Sequence, residues 1–190
     1  MSKRLKLGLA VAAAGALAIA VAAVAAAHGG GGGVKEKLTG YEEFPALSTP
    51  GHGQFRASIN KSAKEIRYQL TYGDTETAVT QSHIHFENRT NNGPIVVFLC
   101  SNLGNGPAGT QACPAAGGTI SGTIKPENVG GGAAAQGLAA GEFDELVRAI
   151  RAGATYVNVH TTGRPGGEIR AQLGDHHGHD GFGDDSKKRR

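Results

Sequence analysis

An antiparallel all-β sandwich or barrel carrying one short helix is the fold class that this sequence predicts, and three observations predict it. Apolar residues alternate with polar ones in several short runs, the period of a strand with one buried face. Turn residues punctuate those runs, and glycine is abundant, with 31 among 190 residues. One clear segment has helical spacing instead.

Phe55, Ala57 and Ile59 alternate with Gln54, Arg56 and Ser58, and residues 60–64 then turn the chain. Ile66, Tyr68, Leu70 and Tyr72 answer on the next strand, so the two read as a hairpin. A third strand covers 79–86 and carries SHIH at 82–85, followed by a polar turn through Asn91, Asn92 and Gly93. Residues 94–100 are nearly all apolar, as in a strand buried on both faces. The next strand spans 119–124, with Ile120 and Ile124 on one face, and the low-complexity stretch 129–141 reads as loop. Phe143, Leu146, Val147 and Ile150 stand at i, i+3, i+4 and i+7, the single apolar stripe of a lid or crossover helix. Acidic Glu142, Asp144 and Glu145 open that helix, Arg148 and Arg151 close it, and Gly153 suits a left-handed cap. Two last strands, 156–161 and 168–173, flank the turn Arg164-Pro165-Gly166-Gly167. In the final one Ile169, Ala171 and Leu173 are expected to face in, and Glu168, Arg170 and Gln172 to face out.

The length suits one domain. With no Trp and 5% aromatic residues, the core must rest on Val, Ile, Leu and Ala, which argues against a large aromatic ligand cage. The formal charge of +3 comes from Lys3, Arg4 and Lys6; without them 16 basic residues balance 16 acidic ones, and no basic face remains for nucleic acid. Residues 1–27 read as an export signal, with that basic start, an uncharged Leu/Ala/Val run, and Ala25 and Ala27 placed for cleavage after Ala27. The same run is long enough to be a retained membrane anchor, the alternative reading. A glycine-rich linker at 28–34, a β domain at 35–174 and a His/Asp-rich tail with a basic end at 175–190 complete the expected organisation, the tail having a composition that predicts disorder. In an exported, periplasmic or secreted protein, Cys100 and Cys113 read as a disulfide; two separate thiols are the alternative, and no C-x-x-C redox motif is present.

His83 and His85 are two apart on one strand, so both imidazoles leave the same face, with Cβ atoms roughly 6.5 to 7 Å apart. His160 shares a face with Tyr156 and Asn158, opposite Val157 and Val159. If its strand runs beside the first, three neutral imidazoles meet, a donor set suited to zinc or copper. Glu168 is a candidate fourth ligand, or a partner that fixes an imidazole tautomer. The bland alternative is that these histidines brace strand ends by hydrogen bonds to backbone and to Glu168 or Arg170. The tail cluster DHHGHD at 175–180 can hold a metal only loosely, without a preformed site.

Five stretches, LTGYEEFP at 38–45, SHIH at 82–85, NGPIVV at 92–97, GATYVNVH at 153–160 and PGGEIRAQL at 165–173, together resemble the CHRD domain, the module named after chordin. The resemblance implies an extracellular or periplasmic all-β domain, in the form of a single module behind a signal peptide. The growth-factor antagonism of chordin does not follow, since the cysteine-rich repeats of that larger protein have no counterpart in this sequence. The H-x-H strand is also similar to that of copper/zinc superoxide dismutases, so the expected sandwich or barrel is immunoglobulin-like or superoxide-dismutase-like. Three functional expectations follow. The first is an exported binding module holding copper or zinc through His83, His85 and His160 with Glu168 nearby. The second is a metal-free module for a protein or glycan of the cell envelope, and the third a dismutase-like redox enzyme.

Overall fold

A computed structural model describes residues 33–174. The expected signal and tail, and most of the expected linker, lie outside the described residues. Eight strands form one sheet: β1 Gly33–Thr39, β2 His52–Asn60, β3 Glu65–Gly73, β4 Val79–Phe86, β5 Ile95–Ser101, β6 Gly118–Ile124, β7 Thr155–Thr161 and β8 Ile169–Leu173. Helix α1, Phe143–Arg151, lies in the long connection from β6 to β7. Gly33 and Val34, assigned to the linker on composition, already pair with β2 in the first strand.

The strand order is β5-β4-β7-β8-β1-β2-β3-β6, with neighbours antiparallel throughout. The sheet curls until its two edges, β5 and β6, almost meet, giving a nearly closed barrel. Side chains span the remaining gap. Tyr68 Oη on β3 donates to the Leu99 carbonyl at 3.1 Å, and Gln111 Nε2 reaches Leu99 O at 3.0 Å and Ser121 O at 3.3 Å.

One apolar core fills the barrel, with Leu38, Phe55, Ile66, Leu70, Ile84, Val97, Ile120, Val157, Val159 and Ile169 buried and joined by the α1 stripe of Phe143, Leu146, Val147 and Ile150. Full burial of such a side chain is worth about 1.5 to 3 kcal/mol. The helix ends as expected, with Gly153 left-handed at φ 69°. The Cys100–Cys113 disulfide is formed, 13 residues apart in sequence, a loop whose closure contributes about 3 kcal/mol by the chain-entropy argument. The stretch 129–141 departs from a plain loop: Val129, Ala133 and Leu138 are buried, Ala133 bridges Leu138, and a 3-10 turn covers Ala134–Gln136. No helix among the described residues is long and apolar enough to cross a membrane.

The largest departure concerns the second face of β7 and β8. Every residue of both strands is buried, including Arg170 at 0% and Gln172 at 9% exposure, although alternation assigns both to solvent. The reason is a polar cover. Arg170 Nη1 donates to Asn91 O, Arg170 Nη2 to Asn88 O, and Gln172 Nε2 to Glu87 O and Gly153 O, so residues 87–92 are fastened over these strands.

Candidate metal centre

β4 and β7 are neighbours, with His83 opposite Asn158, His85 opposite Tyr156 and Gln81 opposite His160. His160 is therefore the diagonal neighbour of His83 across the ladder, within reach of a ring. His83, His85 and His160 are all buried, and one nitrogen from each lies within 4.8 Å of the other two. The register of β4 against β5 shifts just ahead of each β4 histidine, between Ser82 and His83 and between Ile84 and His85. Such irregularities re-aim side chains beside functional sites.

Backbone carbonyls fix two tautomers. His85 Nδ1 donates to Gly93 O at 2.9 Å, and His160 Nδ1 to Pro165 O at 2.9 Å, because a carbonyl can only accept. Each Nε2 then carries a lone pair. His83 Nδ1 meets His160 Nε2 at 3.2 Å, while His83 Nε2 and His85 Nε2 are buried without a hydrogen-bond partner. Gly93 serves twice, since its N–H also donates to Tyr156 Oη at 3.1 Å. No side chain fits there: a Cβ on Gly93 would stand 2.2 Å from Phe86 O.

Aromatic rings surround the cluster. Phe98 sets its edge against His83 with centroids 4.5 Å apart, and Tyr156 stacks on His85 at 4.7 Å. Arg170 lies over the Tyr156 ring, 3.4 Å from its centroid. Burial drives the electrostatics. It pushes the His83 pKa down to about 2, assisted by His160 and His85, and that of His85 down to about 4, against the Gly93 hydrogen bond and with help from His160 and Arg170. Burial also lowers His160, opposed by the Pro165 carbonyl. All three imidazoles are neutral near pH 7, the state in which a histidine binds metal.

Glu168 does not join them. Its Oε1 accepts from Thr49 Oγ1 at 2.7 Å and from the Glu76 N–H at 2.8 Å, and its Oε2 from Thr161 Oγ1 at 2.7 Å. The carboxylate ties three segments together and lies outside the histidine group; the imidazole tautomers that it was expected to fix are set instead by the Gly93 and Pro165 carbonyls. His52 stands at the surface, 3.6 Å from Asp74 and apart from the cluster.

Glu43 was not legible in advance. It is buried beside the site, accepting from Asn158 Nδ2 at 2.7 Å, and burial raises its pKa to about 7 against the pull of Arg170 and Asn158 and with a small push from Glu168. Gly167, at φ 127°, makes room for this pair, since a Cβ there would lie 2.4 Å from Asn158 Nδ2 and 2.8 Å from Glu43 Oε1. Sequence offered one indirect signal, a row of polar residues on one face: His83, His85, Tyr156, Asn158, His160, Arg170 and Gln172.

A nearly closed antiparallel barrel with a buried trio of histidines and one disulfide is thus the class of protein that fold and site define. The family model for the CHRD domain matches residues 34–173, and the chain belongs to that family. No match was found among curated proteins or among solved structures.

Proposed function

We propose that this chain is an exported binding module that holds one copper or zinc ion through His83, His85 and His160. The observation that carries the reading is a buried group of three neutral imidazoles with one nitrogen of each within 4.8 Å of the others, among them His85 Nε2, which is buried without a hydrogen-bond partner. Leaving a buried polar atom unpaired costs about 1 to 3 kcal/mol, which a bound ion would offset. The spacing is compatible as well. Two nitrogens bonded at about 2.0 to 2.1 Å to a tetrahedral ion stand about 3.3 Å apart, close to the 3.2 Å between His83 Nδ1 and His160 Nε2. Export is supported by the oxidised Cys100–Cys113 pair and by the basic-then-apolar character of residues 1–27.

A second reading has its own observation. The same 3.2 Å contact is what an N–H···N hydrogen bond between His83 and His160 would give, and then the histidines brace a metal-free module for an envelope protein or glycan. Melting curves separate the two. With the full chain carrying Asn in place of His176, His177 and His179, copper or zinc at 100 times its dissociation constant should stabilise by about 2.7 kcal/mol, raising Tm by about 5 to 10 °C. His83→Asn should abolish the shift. No shift in the parent chain, or the same shift after His83→Asn, overturns the metal reading.

A further inference from the structure

We infer that the ion this cluster is built for is monovalent copper, Cu(I), held by three imidazoles alone; the inference rests on the metal reading above and narrows it to one oxidation state. The argument starts from what surrounds the three rings. Tetrahedral zinc needs a fourth donor, and Cu(II) prefers a tetragonal set of nitrogen and oxygen ligands. Phe98 meets His83 edge-on, and Tyr156 offers His85 a ring face while its hydroxyl accepts the Gly93 N–H. Neither supplies a further ligand atom. A filled-shell Cu(I) ion is content with two or three nitrogens.

Charge points the same way. Glu43 and Glu168 are the buried carboxylates among the described residues, and both are engaged elsewhere, Glu43 with Asn158 and Glu168 with Thr49, Glu76 and Thr161. A fixed cation, Arg170, lies on the Tyr156 ring that stacks against His85 and lowers the His85 pKa by its charge. A bound ion is thus held among neutral imidazoles backed by the Phe98 and Tyr156 rings, with a guanidinium one ring away. The cost of burying an ion grows with the square of its charge, so a divalent ion is penalised about four times as heavily as a monovalent one. Enclosure adds to this, since His83 is 0%, His160 6% and His85 7% exposed, leaving little access for water to complete a divalent ion's shell.

Competition titrations on the full chain with His176, His177 and His179 replaced by Asn test this. Cu(I) would be measured against bicinchoninate, and Cu(II) and Zn(II) against chelators of known strength. The expected result is one Cu(I) per chain, bound at least about a hundredfold tighter than Cu(II), which lifts the couple by about 120 mV over free copper. Zinc should bind more weakly still. His83→Asn and His160→Asn should each lose the Cu(I) affinity. Should either variant fail to fold, X-ray absorption on the Cu(I)-loaded parent chain decides, with a shell of three nitrogens expected and a four-coordinate shell counting against. Zinc or Cu(II) binding at the histidines as tightly as Cu(I) overturns this inference and leaves the metal reading standing. Failure of every ion to bind in a His83-dependent way removes both.

Discussion

The half of the barrel made by β1, β2, β3 and β6 differs sharply from the half made by β4, β7 and β8. On β3, Ile66, Tyr68, Leu70 and Tyr72 are buried while Arg67, Gln69 and Thr71 face solvent, the clean alternation of a one-sided sheet. On β7 and β8 nothing is exposed. The first half owes its order to apolar burial on one face. The second must also satisfy a layer of buried polar groups on its other face, and each of those groups needs a partner. The histidine cluster sits in that second half, on the polar face that these strands bury opposite their apolar one.

The largest expected effect that would break this comparison comes from Arg170→Ala. It removes the donors to Asn88 O and Asn91 O and leaves the Tyr156 ring uncovered, and it should cost about 3 to 5 kcal/mol in urea denaturation. A cost under 1 kcal/mol would mean that the polar layer is ornamental.

Proton linkage gives a middle-sized effect. Unfolded histidines titrate near 6.5, while native His85 and His83 stay neutral down to about 4 and about 2. Below pH 6.5 the unfolded chain therefore binds protons that the native one refuses, and stability falls with pH by up to about 1.4 kcal/mol per unit for each histidine. Glu43 acts in the opposite sense, because its native pKa of about 7 exceeds the ordinary 4.5, so it loses stability as pH rises between those values. In chelator-treated protein, Glu43→Gln should steepen the decline between pH 6.5 and 4.5, and His85→Asn should flatten it. Denaturation curves at a series of pH values read both changes, and an unchanged slope in both variants refutes the assignment.

The smallest effect sharpens the contrast from the other side. Arg67 on β3 is exposed and pairs with Glu65 at 3.5 Å, so Arg67→Ala should move stability by no more than about 0.5 kcal/mol. Two arginines, both on strands, one exposed and one buried, should thus differ severalfold in what their removal costs.

Arg67 and Arg170 also show where sequence reading stops. The hairpin of β2 and β3, the same-face placement of His83 and His85, the α1 stripe and the cysteine pair were legible because each depends on spacing within one or two elements. Proximity of His160 was legible only as a condition on strand neighbours, which the order β4-β7 satisfies. What covers Arg170 could not be read, since residues 87–92 are polar and look like any solvated turn until the fold lays them across β8. Glu43 was hidden for the same reason, lying in a polar turn of Glu42 and Glu43 whose burial depends on Asn158, 115 residues away. Glu168 was drawn toward the histidines by closeness in sequence, whereas Thr49 and Glu76 from distant loops claim its carboxylate.

The gap between β5 and β6 bears on how such domains coexist at high density. An open sheet edge is a template on which a second molecule can add its own strand. Here the segment ahead of Cys113 lies along β5, its Gln111 backbone carbonyl accepting from the Ser101 N–H at 2.9 Å and its Gln111 side-chain amide donating to the Leu99 carbonyl. A neighbouring copy approaching that rim finds these groups already engaged by the chain's own cross-linked loop, so growth of one sheet into the next is checked from within each molecule.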